Sequence, residues 1–322
     1  MAAAKLMRRV ALIVAVALAA ATTAGARAET ATIRIIVPLP AGGGVDVVAR
    51  ELAEVIARTT GAIFVIENRP GAGTIIGTEA AARAAPDGNT LLLVPNSFVV
   101  APQLHKVNYD ALTGFAPICS LVATPTVLVV NPASPYRTLG AFVAAAQAAP
   151  GRLTVASVAG AALQVSFAML QEAARIQTTF VSYPGTPPAI TALLGNHVDA
   201  AYSDFPTVAE QIKSGAVRAL ATGARARLVS LPDVPTVAEA GYPGYEADIW
   251  YGLFAPAKTP RAVIARLAGW FAAALEDPAV KAKLVLQGLR PAGLCGTAFG
   301  DYVRRQYQAY GEVIRKARIR AP

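Results

Sequence analysis

"VPLPAGGGVDVVAR", residues 37–50, carries the chain from a β-branched apolar run into a helical pattern through four small residues, Ala41 to Gly44. Upstream, "IRIIVPL" (33–39) has the branched residues that suit a strand. Downstream, Val47, Val48, Leu52, Val55 and Ile56 recur at the spacing of one helix face. A strand that turns directly into a helix is half of a β-α-β unit, so the stretch predicts parallel strands covered by helices. The bare backbone at the turn has two readings. Glycines can simply permit a tight turn. They can also let the unpaired N–H groups of a helix start, with their partial positive charge, close on an anion.

The same alternation runs outward from this stretch. "AIFVIEN" (62–68), "TIIGTEAAARAA" (74–85) and "TLLLVPN" (90–96) read as strand, helix and strand, with Pro86-Asp87-Gly88-Asn89 as a turn. A second series begins near residue 126. Its strands are "TVLVVNP", "LTVASV", "QTTFVSY", "VDAAYSD" and "VRALAT", and its helices are "LGAFVAAAQAAPG", "QVSFAMLQEAAR", "PPAITALLGN" and "PTVAEQIKSG". From Pro260 the tail reads as helical: "RAVIARLAGWFAAAL", "PAVKAKLVLQG" and "FGDYVRRQYQAYGEVIRKA". Two α/β units of similar size with a helical tail predict two lobes and a cleft between them.

Residues 1–28 read as a secretory leader. Lys5, Arg8 and Arg9 precede the apolar run "VALIVAVALAAAT", and Ala26-Arg27-Ala28 fits a small-x-small cleavage site before Glu29. A retained N-terminal anchor is the other reading. The leader holds four of the 29 bases and no acid, so 25 bases face 20 acids in the rest, a net charge of about +5. The bases are scattered, which argues against a nucleic-acid surface and suits small anions. Cys119 and Cys295 are the only cysteines, and their spacing leaves one disulfide and two buried thiols both open.

Much chemistry is excluded. His105 and His197 are the only histidines and neither has a ligand partner at metal spacing, so no metal site is expected. There is no G-x-S-x-G elbow and no Walker loop, since Asp46 stands where a phosphate site wants Lys. "GAGTIIG" (71–77) imitates a dinucleotide fingerprint but spaces its glycines one residue too long. Those glycines suit a tight turn and close packing, and no cofactor is expected.

Five stretches together point further: "VPLPAGGGVDVVAR", "VIENRPGAGTIIGTEAAARAAPDGNTLLL", "NHVDAAYSDFPTVAEQIKSGAVRALAT", "LPDVPTVAEAGYPGYE" and "WYGLFAPAKTP". In this order they resemble the Bug family, the periplasmic solute-binding receptors of tripartite tricarboxylate transporters, from about Ile33 to the end. The resemblance implies a type II-like periplasmic-binding-protein fold, α/β and two-lobed, with the lobes joined by crossing strands. Lobe 1 would take 29–126 plus 251–322 and lobe 2 would take 127–250. It implies a small carboxylate or amino-acid-like ligand held between two strand–turn–helix motifs, one per lobe. The first corresponds to Ala41, Gly42, Gly43 and Asp46, with Asn96 and Ser97 of the loop "VPNSF" facing the same cleft. Asp46 would receive a ligand amino group or a water, or only complement the helix dipole.

The second motif departs from the family pattern. Where relatives commonly read Ser-x-Gly-x-Gly-Thr-Pro and then His-Leu, this chain has "ASVAGAALQVSF", keeping Ser157 and Gly160 and leaving the N–H groups of Ala161 and Ala162 to serve. Tyr202-Ser203-Asp204 stands where Phe-Asp-Asn is usual, and Pro184 replaces a Lys after Tyr183. Ligand identity therefore does not transfer. The expected protein is a monomeric, periplasmic, non-catalytic receptor working with the membrane components of a transporter. The alternatives are a ligand-presenting partner of a membrane sensor and an exported serine hydrolase using Ser97 or Ser157.

Overall fold

The computed structural model describes residues 32–158 and 162–319, so the leader and two expected ligand residues, Gly160 and Ala161, lie outside the described residues. Three strands open the fold: β1 (Thr32–Val37), β2 (Ile63–Asn68) and β3 (Thr90–Pro95). β1 pairs in parallel with both of the others. Helices α1 (Gly44–Thr60), α2 (Ile75–Ala82) and α3 (Ser97–Leu104) follow them in turn. β3 and the second half of β1 are buried on both faces, as the interior of a parallel sheet requires, while β2 at the edge exposes Ile63 and Val65. Ile35, Val37, Leu91 and Leu93 pack with Val48 and Leu52 of α1. Ile36, Leu92 and Val94 face Phe98, Trp250, Phe254 and Phe299.

The second parallel set has β5 (Thr154–Val158) between β6 (Thr179–Tyr183) and β7 (Ala200–Asp204). Its helices are α4 (Leu139–Ala148), α5 (Ala162–Ala174), α6 (Thr186–Leu194) and α7 (Phe205–Lys213), and β8 (Arg218–Thr222) closes the series. Two long strands join the sets: β4 (Phe115–Val130) and β9 (Asp248–Pro256). Then come α8 (Arg261–Glu276), α9 (Pro278–Leu286), β10 (Arg290–Cys295) and α10 (Gly296–Lys316). The strand path is β2-β1-β3-β9-β4-β7-β5-β6, with β8 and β10 also on β4.

β4 changes partners midway. Phe115 to Pro125 lie against β9, and Thr126 to Val130 lie against β7 and β8. At the change, the Thr126 N–H donates to the Ala247 carbonyl, the Gly223 N–H to the Thr126 carbonyl, and the Ala247 N–H to the Gly223 carbonyl. The Thr126 hydroxyl adds bonds to the Ala247 carbonyl (3.1 Å) and the Tyr202 hydroxyl (2.5 Å), and Tyr202 continues to Tyr245 (2.7 Å). This buried chain of polar groups is fully paired at those atoms, which specifies the crossing geometry.

Two expectations about the elements need correction. The second series does not start near residue 126: its first strand begins at Phe115. Pro117 hides that half in the sequence, and it is tolerated because the register shifts between Pro117 and Cys119. The tail is not helical throughout, because β10, "RPAGLC", adds to β4. Its proline and glycine read as breakers, and tertiary pairing overrides them. That pairing sets Cys295 opposite Cys119, and the two form a disulfide across 176 residues of chain. On the chain-entropy model a loop of that size restrains the unfolded state by about 5 kcal/mol.

Candidate functional site

The opening turn puts Gly43 at the start of α1 with extended backbone, and Val47 N–H makes the first ladder bond to its carbonyl at 3.0 Å. Gly42 lies in the left-handed region at φ 81°, where a side chain is strained. Asp46, in the first turn of α1, is 3% exposed. One of its oxygens accepts from the Gly42 N–H (2.9 Å) and Arg50 Nε (3.0 Å). The other accepts from Arg50 Nη2 (3.0 Å) and Asn68 Nδ2 (3.0 Å). Four donors occupy the roughly four lone-pair sites of a carboxylate. Burial works against this charge, but the Arg50, Gly42 and Asn68 hydrogen bonds and the nearby guanidinium outweigh it and hold the carboxyl below its usual range.

This arrangement corrects the expectation for two residues. Asp46 has no acceptor left for a ligand amino group, and Gly42 has spent its N–H on Asp46. The turn's remaining donors are the N–H groups of Gly43, Gly44 and Val45, which no hydrogen bond to a described residue occupies. Asp46 thus acts as an internal clasp that shapes the turn, with its charge answered by Arg50.

The next turn presents Asn96 and Ser97 at the start of α3. Asn96 is fully buried, and its amide N–H₂ donates to the Tyr310 hydroxyl (2.7 Å) and the Asp248 carbonyl (3.3 Å). The side chain therefore ties β3, β9 and α10 together, and only its oxygen is unpartnered. The Ser97 hydroxyl pairs with Thr74 Oγ1 at 3.1 Å. Thr74 is 3% exposed with φ 88°, a costly conformation for a β-branched residue that persists only where its surroundings over-determine it. Beside it, Gly77 approaches Pro38 and the Arg69 carbonyl so closely that a Cβ would sit 2.7–2.8 Å from them. The glycines of 71–77 serve turn and packing.

In the second set of strands the expected residues have mixed fates. The Ser157 hydroxyl donates to the Tyr202 carbonyl (2.8 Å), and that of Ser203 turns back to the Asp204 carbonyl (2.8 Å). The first ties β5 to β7, and the second stays within β7. Ala162 begins α5 and is buried, and Tyr183 is half-buried at the end of β6. Asp204 ends β7 and accepts from the Thr207 hydroxyl (2.6 Å) and the Thr186 hydroxyl (3.3 Å). Burial pushes its carboxyl up, and those hydroxyls only partly offset it.

Tyr251 was missed as a site residue, although it lies in "WYGLFAPAKTP". It sits on β9 opposite Pro95, and a side chain on Gly44 would begin 2.8 Å from its hydroxyl. Burial, then the charge of Asp204, push that phenol well up. The hydroxyl makes no hydrogen bond to a described residue. One buried phenol thus touches the glycine turn of the first strand set and feels the carboxylate of the second. Alternation along β9 aims it at this face, a signal readable once the strand is known. Two other hollows, about 350 Å³ beside His105 and Tyr109 and about 530 Å³ between α5 and the end of α10, lie away from these residues.

Comparison with known proteins agrees with this architecture. Residues 48–319 match the model of the tripartite tricarboxylate transporter family receptor. The periplasmic binding protein BugD is 34% identical, with a TM-score of 0.81 over 90% of this chain and 98% of its own. MatC from Rhodopseudomonas palustris, solved with bound malate, is 29% identical, with a TM-score of 0.78 over 88% and 98%. An R. palustris protein solved with adipate is 27% identical, with a TM-score of 0.84 over 90% and 98%. The fold is the two-lobed α/β fold of periplasmic binding proteins. Among the described residues, no helix is long and apolar enough to cross a membrane. The chain belongs to the tripartite tricarboxylate transporter receptor family.

Proposed function

We propose that this family member captures a small carboxylate in a cleft between its lobes and delivers it to the membrane components of a tripartite tricarboxylate transporter. Lobe 1 comprises 29–126 with 251–322, and lobe 2 comprises 127–250, a division supported by the change of partner along β4 at Thr126. Residues 1–28 direct export and are cut off before Glu29. One carboxylate is held by the N–H groups of Gly43, Gly44 and Val45, and the start of α5, at Ala162, closes from the other side.

One observation carries the reading: first-turn amides and the Tyr251 hydroxyl, none of them hydrogen-bonded to a described residue, converge at Gly44. Backbone amides at a helix start bind carboxylates without a charged side chain. The malate and adipate held by two relatives fit that chemistry. No catalytic step is needed, and neither Ser97 nor Ser157 hydrogen-bonds a histidine among the described residues.

Thermal-shift titration of the mature chain with mono- and dicarboxylates tests the reading. A ligand of the folded state stabilises by RT ln(1 + [L]/Kd), about 2.7 kcal/mol at a hundredfold excess. A saturable rise in melting temperature with carboxylates, absent with their amides, is expected. No rise across such a panel would contradict it.

A further inference from the structure

The hydroxyls at the β4 crossing are short of a proton. Every oxygen of that chain has a partner, yet four contacts are shared among three hydroxyls. Thr126 Oγ1 reaches the Ala247 carbonyl at 3.1 Å and Tyr202 Oη at 2.5 Å. Tyr202 Oη reaches Tyr245 Oη at 2.7 Å, and Tyr245 Oη reaches the Ser166 carbonyl at 2.9 Å. Each hydroxyl brings one proton, and both ends of the chain are carbonyls, which only accept. Burial pushes Tyr202 up to about 12 and Tyr245 well up, so both phenols stay protonated near neutrality. Thr126 also acts on the Tyr245 phenol, which adds a contact and no proton. No N–H of a described residue is hydrogen-bonded to any of the three hydroxyls.

One contact is therefore always unfilled. If both hydroxyl–hydroxyl contacts keep a proton, the unfilled one is at an end. Pointing the protons from Thr126 through Tyr202 and Tyr245 puts the last one on Ser166, and Ala247 keeps the Thr126 N–H at 3.2 Å. Pointing them the other way fills Ala247, and the Ser166 carbonyl keeps its ladder bond inside α5. Neither order strands a buried acceptor, so the two are closely balanced. The ends lie on different structures: Ala247 where β4 changes partners, and Ser166 one turn into α5.

We propose that the chain alternates between these two orders, which makes Tyr245 a positioning residue for α5. The share of molecules in which Tyr245 donates to Ser166 sets how firmly that helix is held to the crossing. A ligand that closes the start of α5 draws on the same contact. Only this last step rests on the cleft reading above.

The proton count gives two near-isosteric substitutions opposite signs. Thr126→Val removes the hydroxyl that competes for the chain's protons, so Tyr202 donates to Tyr245 and Tyr245 always donates to Ser166. Tyr245→Phe removes the grip on Ser166, and Thr126 and Tyr202 fill the contacts that remain. Were the hydroxyls only packing, both changes would loosen the region alike. Amide hydrogen exchange on the ligand-free mature chain reads the α5 peptide directly. Exchange should slow severalfold in Thr126→Val and quicken severalfold in Tyr245→Phe. A shift in the same direction in both, or none in either, overturns the proposal. If Thr126→Val does not fold, Tyr202→Phe replaces it: Tyr245 then has no phenol to turn to, and slower exchange is again expected. If Tyr245→Phe does not fold, exchange in Thr126→Val decides alone, and no slowing overturns the proposal. Calorimetry with malate and adipate on the same variants should show affinity rising severalfold in Thr126→Val and falling severalfold in Tyr245→Phe. Exchange that moves as expected while affinity stays fixed would remove α5 from the ligand's path and leave the positioning of the helix standing.

Discussion

Asp46 and Asp204 stand at the starts of two helices on opposite sides of the proposed cleft, and they share a residue type and nearly a helical position. Asp46 sits in the first turn of α1 with an arginine fork, a backbone N–H and an asparagine amide on its oxygens. Asp204 sits just before α7 with two threonine hydroxyls. Their carboxyls consequently move in opposite directions, down for Asp46 and up for Asp204. Helix position alone does not set the role of an acid. The donors around it decide whether it is internal scaffolding or keeps capacity for a ligand.

The largest test of this contrast acts on the turn that Asp46 shapes. Gly44→Val would drive a branched side chain onto the Tyr251 hydroxyl and across the open amides. Losing one or two hydrogen bonds to a charged group, about 1.5–3 kcal/mol each, predicts a fall in carboxylate affinity on the order of a hundredfold. Calorimetry on the folded variant reads it. Unchanged affinity would place the ligand elsewhere.

Removing the clasp's cation comes next. Arg50→Ala leaves Asp46 buried with two of its four donors gone, and water replaces part of the half-exposed guanidinium. A loss of stability in urea denaturation is expected, larger than the loss at the other acid. At the other acid, Thr207→Ala removes one neutral hydroxyl bond, and the loss should be about 1 kcal/mol. Equal losses at the two sites would break the contrast.

The smallest effect is the pH dependence, and it has opposite signs. The folded pKa of Asp46 lies below its unfolded value near 3.8, so its contribution is present above that value and is lost as pH falls through the folded pKa. Asp46→Asn should therefore flatten the acid limb of the melting curve. The folded pKa of Asp204 lies above 3.8, so folding binds a proton between the two values and stability falls as pH rises through that window. Asp204→Asn should then be relatively more stable at neutral pH, with an advantage that shrinks towards pH 3. Melting temperatures from pH 3 to 8 would show both slopes.

Much of this molecule was legible before folding. The strand–turn–helix at 37–50 and the alternation that followed it needed only local periodicity, and α1 covers Gly44–Thr60 as its spacing implied. The Asp46–Arg50 pair is also local, four residues apart on one helix. What stayed hidden was non-local. Asn68 reaches Asp46 across 22 residues, and that bond completes the saturation of a carboxylate expected to be available for ligand. β10 exists because β4 accepts it, which also decided the open question of Cys119 and Cys295. Tyr251 acquires its place only when β9 lies against β3. Local pattern located the elements, and pairing between distant segments assigned the roles.

The central claim is that open first-turn amides of α1 hold the ligand carboxylate while Asp46 stays clasped by Arg50. A crystal structure of the mature protein with its tightest-binding carboxylate tests it most directly. The account predicts carboxylate oxygens within hydrogen-bond distance of the Gly43, Gly44 or Val45 N–H groups, with the Asp46–Arg50 fork intact. A ligand bound away from these amides, or an Asp46 released from Arg50 to meet it, would contradict the account.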